Sequence, residues 1–207
     1  MSARIVVVDY GMGNLRSVQN ALHYLGALPH VSGSPKAVAA ADALLLPGVG
    51  SFRAAMQSLR TTGLDDALQE AVIGRGVKIL GICLGMQLMS TRGTEDGDSA
   101  GLGFVPGSVE RFSDQFSSDL KVPHIGFNSV TPAEDSVLMR GLHGMPDFYF
   151  VHSYRMLPSG LPGKVSTCGY GEPFVAAYEH KNIFATQFHP EKSQTNGLLL
   201  LKNFLTH

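Results

Sequence analysis

The chain has 207 residues, of which 44% are hydrophobic and 16% are charged. This composition excludes a disordered, collagen-like or coiled-coil protein and predicts a globular protein with a substantial core. The 16 basic and 17 acidic residues give a formal charge of −1 without a Lys/Arg run, which argues against a nucleic-acid-binding protein.

Targeting and redox features predict a cytoplasmic protein. No apolar stretch approaches the roughly 20 residues that a membrane-spanning helix needs. Residues 1–4 lead directly into an apolar run, without the layout of a signal peptide. Because Cys83 and Cys168 are too few for a disulfide scaffold, we expect a reducing compartment.

Apolar runs and helical patterns alternate along the first half of the chain. The runs lack polar/apolar alternation, which predicts strands covered on both faces, as in a parallel sheet. Between the runs, apolar residues recur at helical spacing. The predicted strands are residues 4–8, 43–46 and 77–82, and the predicted helices are residues 15–25, 52–59, 64–73 and 84–89.

The pattern of the second half predicts shorter strands. In several of them polar and apolar residues alternate, which is typical of an antiparallel or mixed region with one solvated face. These strands are residues 102–112, 122–130, 148–154, 165–170, 174–179 and 183–188, and a helix follows at residues 198–205. Residues 91–100, rich in glycine and acids, predict an exposed loop. Since no repeat, low-complexity tract or linker interrupts the pattern, residues 1–207 are predicted to form a single α/β domain.

A G-x-C-x-G turn, formed by Gly81, Cys83 and Gly85, lies between a predicted strand and a predicted helix. Such a turn lifts its central residue onto a sharp corner at the end of the strand. The amide groups of the following helix favour a thiolate there, and the amide of Leu84 could bind an oxyanion. A buried structural cysteine is the alternative, which this turn alone leaves open; for Cys168, without flanking glycines, that alternative is favoured.

A thiol nucleophile needs a base, and His189 offers one. Glu191 lies two positions further, so it could hold one ring nitrogen while the other faces Cys83. The remaining histidines lack metal-ligand spacing, and the glycine clusters lack the spacing of phosphate-binding loops. Neither a metal nor another cofactor is therefore expected.

These motifs resemble the class I (triad) glutamine amidotransferases. The elbow segment, residues 81–87, and the His-Pro-Glu of residues 189–191 carry this resemblance. Within the family, the chain is similar to the glutaminase subunits of imidazole glycerol phosphate synthases. That closer similarity rests on residues 9–15, 122–128 and 148–154, with residues 46–50 and 187–193 in support.

The resemblance implies an α/β fold with a central, mostly parallel mixed sheet flanked by helices and a smaller antiparallel region in the second half. It also implies a reaction in which glutamine and water give glutamate and ammonia. Cys83 would attack the side-chain amide carbon, His189 would pass the proton to the departing ammonia, and Glu191 would orient His189. The amide of Leu84 would hold the oxyanion.

The resemblance assigns further positions to the site. A second oxyanion amide would come from the loop of Gly48, Val49 and Gly50, with Val49 the preferred donor. Gln87 would contact the glutamine substrate, although a solvated helix residue is the alternative. Ser153 and Tyr154 would bind its amino-acid portion through backbone groups, although an ordinary strand end is also possible.

The resemblance implies a partner, a (β/α)₈-barrel cyclase subunit in a heterodimer, which would use the ammonia to make imidazole glycerol phosphate in histidine biosynthesis. The chain departs from the family by carrying Ile125 and Phe127 where Met and Trp are common. This departure leaves open a paralogous glutaminase that supplies another acceptor, such as a sugar amidation enzyme. A catalytically silent regulatory module is a further alternative, against which the intact Cys83, His189 and Glu191 argue.

Overall fold

The computed structural model describes residues 3–113 and 120–207, so residues 1–2 of the amino-terminal segment discussed above lie outside it. The strands are β1 Ile5–Val8, β2 His30–Ser32, β3 Ala43–Gly48, β4 Lys78–Cys83, β5 Ser90–Gly93, β6 Ser99–Ala100, β7 Val105–Arg111, β8 His124–Ser129, β9 Asp147–His152, β10 Tyr154–Met156, β11 Lys164–Tyr170, β12 Glu172–His180 and β13 Ile183–Thr186. The helices are α1 Leu15–Tyr24, α2 Pro35–Ala39, α3 Phe52–Thr62, α4 Leu64–Gln69, α5 Leu84–Leu88 and α6 Gln194–Thr206; Glu70–Gly74 continues α4 as a π-helical turn, and Pro190–Lys192 is a 3₁₀ turn. None of the helices in this part of the chain combines the length and the apolar character that crossing a membrane requires.

Within the described residues, the central sheet has seven strands in the order β11-β12-β13-β4-β3-β1-β2. The pairings from β13 through to β2 are parallel, whereas β11 and β12 are antiparallel to their neighbours. The predicted central, mostly parallel mixed sheet is thus confirmed. The predicted strands at residues 165–170, 174–179 and 183–188 belong to this sheet as β11, β12 and β13 rather than lying in a separate region, because β13 and most of β12 are buried like inner strands.

The rest of the second half supplies two small sheets, one with the order β10-β7-β5-β6 and one of β8 paired antiparallel with β9. The predicted strand at residues 148–154 is divided at Ser153, so that β9 and β10 belong to different sheets. Two short elements, β2 and α2, have too few residues to show a periodic pattern and were not predicted.

The prediction of a loop over residues 91–100 is wrong. Residues of β5 and β6 pair antiparallel there, and β5 also pairs parallel with β7. The sequence pattern misses these strands because backbone pairing, rather than alternating apolar side chains, holds them in the sheet. The glycine- and acid-rich tip between Gly93 and Ser99 remains a turn, as its composition indicates.

Both faces of the central sheet are covered, which accounts for the unbroken apolar runs in its strands. On β3, Leu44 and Leu46 belong to one hydrophobic cluster together with buried residues of α3, α4 and α5. The intervening Leu45 belongs to a second cluster, which includes buried residues of α1 and α6. Successive side chains of β3 therefore pack against opposite helix layers, which requires both faces of the strand to be apolar.

Lys78, at the start of β4, ties the end of α6 to the sheet. Its ammonium group donates to the carbonyl oxygens of Phe204 at 2.8 Å and Leu205 at 3.1 Å. These carbonyls lack partners within the helix, and the negative end of the helix dipole favours a cation there.

We expect Lys78→Met to lower the free energy of unfolding by about 1–2 kcal/mol, because the last turn of α6 loses its donors. Urea denaturation followed by circular dichroism measures this. Lys202→Met, which removes an exposed lysine from the same helix, serves as the control and should change stability by less than about 0.5 kcal/mol. Equal effects of the two substitutions would contradict the capping role.

Candidate active site

A cleft of about 330 Å³ opens beside the carboxyl ends of β3 and β4. This is the edge at which parallel α/β sheets present their ligand sites. The cleft brings together eight of the residues predicted from the sequence: Val49, Gly50, Cys83, Leu84, Gln87, Ser153, Tyr154 and His189. The other two lie directly behind them, since Gly48 pairs with Cys83 between β3 and β4 and Glu191 contacts His189.

Cys83 occupies a strained turn between β4 and α5. Its backbone has φ +55° and ψ −110°, a conformation that non-glycine residues rarely adopt. A Cβ at Gly85 would collide with the carbonyl oxygen of Leu46 on β3, and one at Gly81 would come within 2.9 Å of the backbone of Met86. The two glycines therefore let α5 pack against the sheet closely enough to raise the cysteine into the cleft.

His189 and Glu191 form a nearly buried pair. Nδ1 of His189 lies 2.8 Å from Oε1 of Glu191, and both side chains are almost inaccessible to solvent. The other ring nitrogen, Nε2, is buried without a hydrogen-bond partner among the described residues. Since His189 and Cys83 line the same cleft, Nε2 is the nitrogen left to exchange a proton with the sulfur.

The electrostatics of His189 favour its protonated form. Burial by itself lowers the pKa of His189, but interactions with Cys83 and with Glu191 outweigh it and raise that pKa to about 10. An imidazolium and a thiolate next to each other stabilise one another, whereas each alone would be costly to bury. The raised pKa thus makes His189 a better acceptor for a proton that is released inside the cleft.

Gln87 is buried and belongs to a polar network. Its Nε2 donates to the carbonyl oxygen of Tyr154 and to Oε1 of Gln187, both at 3.0 Å. The alternative of a solvated helix residue is therefore wrong, because Gln87 lies one turn after Cys83 on the face of α5 that points into the protein. Gln187 itself, which was not predicted as a site residue, donates to the Cys83 sulfur at 3.8 Å.

The loop after β3 is shaped by its glycines. A Cβ at Gly48 would collide with the hydroxyl of Tyr10, and Gly50 has φ +106°, which side-chain-bearing residues avoid. Val49 lies between them and lines the cleft beside Leu84. The backbone of this loop can therefore approach a reacting group near Cys83 without obstruction by side chains at positions 48 and 50.

Ser153 and Tyr154 mark the break between β9 and β10. The carbonyl of Ser153 accepts from the backbone N–H of Phe112, while the carbonyl of Tyr154 accepts from Gln87 and from Nδ1 of His152 at 2.8 Å. Both residues line the cleft, so the strand end is also part of its wall.

Sequence reasoning missed Glu95, which lies in the turn between β5 and β6 and lines the cleft. Its carboxylate accepts from the backbone N–H of Phe52 at the start of α3, where the helix dipole favours a negative charge. Burial raises the pKa of the Glu95 carboxyl, and the hydrogen bond from Phe52 opposes this change. Position in an acid-rich turn was the available signal, but nothing in the sequence distinguishes Glu95 from its acidic neighbours.

The model of the family described as glutamine amidotransferase class-I matches residues 6–207. The chain belongs to this family. It is a glutamine amidotransferase, and the resemblance read from its motifs is confirmed.

Within the described residues, no group of three or more His, Cys, Asp or Glu side chains could hold a metal ion.

Relatives of this amidotransferase resemble it over almost their whole length. It is 47% identical over 201 residues to imidazole glycerol phosphate synthase subunit HisH of Chlorobium luteolum, covering 97% of this chain and 98% of the relative. It is 43% identical over 201 residues to the subunit of the same name from Salinibacter ruber, covering 96% and 92%.

Solved structures share the fold of the amidotransferase at low sequence identity. A crystal structure of a glutamine amidotransferase superposes with a TM-score of 0.74 at 20% identity, covering 98% of this chain and 97% of that one. The structure of PurLQS from Thermotoga maritima gives a TM-score of 0.74 at 18% identity, covering 100% and 99%.

We expect Gly85→Ala to lower the free energy of unfolding by about 3 kcal/mol or more, because the added methyl group meets a backbone carbonyl that cannot move aside easily. Urea denaturation measures the change. The control is Gly169→Ala on β11, where an added Cβ meets nothing within 4 Å, and its expected change is below about 0.5 kcal/mol. A Gly85→Ala protein as stable as this control would contradict the close packing of α5.

Proposed function

We propose that this chain is the glutaminase subunit of an imidazole glycerol phosphate synthase, and that it hydrolyses glutamine through Cys83, His189 and Glu191. The observation that carries the catalytic part is the cleft that Cys83, on its strained turn, shares with the Glu191-paired His189. The assignment to this synthase is supported by the 43–47% identity to HisH subunits.

The first chemical step is attack by sulfur. The Cys83 proton passes to Nε2 of His189, and the thiolate then forms a bond to the amide carbon of glutamine. The carbonyl π bond breaks and its electron pair moves to oxygen. The electron pair on oxygen then re-forms the carbonyl as the C–N bond breaks, and His189 gives its proton to the departing nitrogen, which releases ammonia and leaves a thioester. A water molecule, deprotonated by His189, attacks the thioester carbon. The carbonyl re-forms as the C–S bond breaks, which releases glutamate, and the thiolate takes the proton back from His189.

The oxyanion needs donors close to Cys83. The amide of Leu84, the residue after the nucleophile, supplies one, and the amide of Val49 in the loop after β3 supplies the second. Glycines on both sides of Val49 support this role, because they let its backbone turn toward the substrate.

The substrate carries a positive ammonium and a negative carboxylate at its other end. The half-buried carboxylate of Glu95 suits the ammonium group, since it lies in the wall of the cleft and is already held by a backbone N–H. Gln87, Ser153 and Tyr154 complete this side of the cleft and position the glutamine between Glu95 and Cys83.

The released ammonia requires a partner that accepts it before it is protonated in water. Apolar side chains are exposed next to the cleft: Ile125 is 60% and Phe127 is 51% accessible on β8, and Pro123, just before this strand, lines the cleft. Exposed apolar residues around a site favour protein–protein contact. We assign this surface to docking of a (β/α)₈-barrel cyclase subunit in a heterodimer, which uses the ammonia to form imidazole glycerol phosphate.

The exposed positions of Ile125 and Phe127 also support an alternative, in which the partner is a different acceptor enzyme. These are the positions where the chain departs from the family pattern, and a changed docking surface is what a changed partner requires. Glutamine hydrolysis that increases with the cyclase and its nucleotide supports the first assignment; no increase favours the alternative.

The direct test of the catalytic assignment is Cys83→Ser. We expect kcat for glutamine hydrolysis to fall by at least about 10³-fold, because a serine hydroxyl ionises far less readily than a thiol. Glutamate release in the presence of the cyclase and its nucleotide measures the change. Cys168→Ala, which removes the buried cysteine outside the site, should retain activity within about threefold. A Cys83→Ser protein with more than a tenth of the original kcat would refute the mechanism.

A second test concerns the partner. Phe127→Asp should weaken binding to the cyclase at least about tenfold, because a charge would be buried in an apolar contact. Isothermal titration calorimetry measures the affinity. Leu28→Asp is the control, since Leu28 is 86% accessible and lies beside Arg4 and Ile5 at the opposite end of the strands. Equal effects on affinity would argue against docking over the cleft.

A further inference from the structure

Gln187 is a fully buried amide that contacts Gln87 and Cys83 from behind the cleft wall, and the mechanism above gives it no role. It follows β13 and precedes His189 by two residues, and its backbone N–H donates to the carbonyl of Ala176 at 2.8 Å. Its backbone is therefore fixed by the sheet. A buried side-chain amide is costly unless its oxygen and nitrogen both find partners, so the contacts of Gln187 constrain its orientation.

One carbonyl group determines which way both buried glutamines point. The Tyr154 carbonyl can only accept a hydrogen bond, so Gln87 must present its NH₂ group to it. The same NH₂ group lies 3.0 Å from the Gln187 side chain, which must therefore present its oxygen there. Its own NH₂ group is then the one that points at the Cys83 sulfur, 3.8 Å away.

The sulfur of Cys83 thus lies between two groups with opposite preferences. The carbonyl oxygen of Val151, 3.9 Å away, can accept only from a protonated thiol. The NH₂ group of Gln187 donates toward the sulfur and so favours the thiolate, because a hydrogen bond to a charged form stabilises that form. In a buried site this bond is stronger than it would be in water.

We propose that Gln187 is a further catalytic residue, whose side-chain NH₂ group stabilises the Cys83 thiolate and whose oxygen links it to Gln87. This inference rests on the proposed function only in taking Cys83 as the nucleophile. Gln187 does not accept the proton of Cys83, which goes to His189. It lowers the cost of the resulting negative charge on sulfur.

The test measures how fast iodoacetamide alkylates Cys83 as a function of pH, with the modified peptide quantified by mass spectrometry. Gln187→Met keeps the length of the side chain and removes the donor. We expect the acid-side midpoint of the alkylation profile to rise by about one pH unit, since one hydrogen bond to an anion has roughly this effect. Below the midpoint the rate should fall only about threefold, because a more basic thiolate is also more nucleophilic.

Two further variants complete the experiment. Gln69→Met makes the same replacement at an exposed glutamine on α4 and should leave the profile unchanged. Gln187→Glu keeps the shape of the side chain and places a carboxylate beside the sulfur, so its midpoint should rise by more than that of Gln187→Met. Both Gln187 variants are measured, and circular dichroism checks that each is folded. If one variant has a folding defect, the profile of the other still tests the inference.

Profiles of Gln187→Met and Gln187→Glu that coincide with the unmodified protein's would overturn the inference, even if glutamine hydrolysis fell, since that result assigns Gln187 a packing role alone. The alkylation assay needs no glutamine turnover. Failure of the proposed function is recognised separately, by a Cys83→Ser protein that still hydrolyses glutamine.

Discussion

The close packing of α5 against β3 and β4 is the constraint on which the rest of the site depends. Neither Gly81 nor Gly85 has space for a Cβ, so the chain between them must turn within very few residues. Cys83 adopts φ +55° as a result, a conformation that is unfavourable for an isolated cysteine and persists only because the surrounding structure enforces it. The strain is offset by burial of α5, and it gives the sulfur one fixed position at the edge of the sheet.

Burial restricts the orientations of the polar groups around this sulfur. An unpaired buried donor or acceptor is costly, so buried side chains favour orientations that give their polar atoms partners. Glu191 holds Nδ1 of His189 and leaves Nε2 to the cleft, and the Tyr154 carbonyl orients both Gln87 and Gln187. Rigid backbone groups thus determine the positions of the side chains that approach Cys83, and little reorganisation is required when charge develops there.

Sequence patterns predict the strands and helices in which apolar residues are continuous or regularly spaced, and the tight turns that glycines mark. The unbroken apolar run before Cys83 and the glycines on either side of it were sufficient to predict β4 and the turn. Gln187 and Glu95 could not be recognised as site residues, because their roles depend on contacts across 104 and 43 positions of the chain. The hairpin of β5 and β6 was missed for a related reason, since backbone pairing leaves no pattern in side-chain polarity.

Two buried histidines, His152 and His124, extend this hydrogen-bond network to β8. Burial lowers the pKa of His124 to about 4 and that of His152 to about 3, so both rings are neutral at neutral pH. His152 must donate from Nδ1 to the Tyr154 carbonyl, so its Nε2 accepts from Nδ1 of His124, 3.1 Å away. The Nε2 atom of His124 then accepts from Asn128 at 3.3 Å. The carbonyl that orients both glutamines is therefore held from the strand that carries the exposed apolar residues as well as from α5, and the cleft and the adjacent surface form one continuous set of contacts.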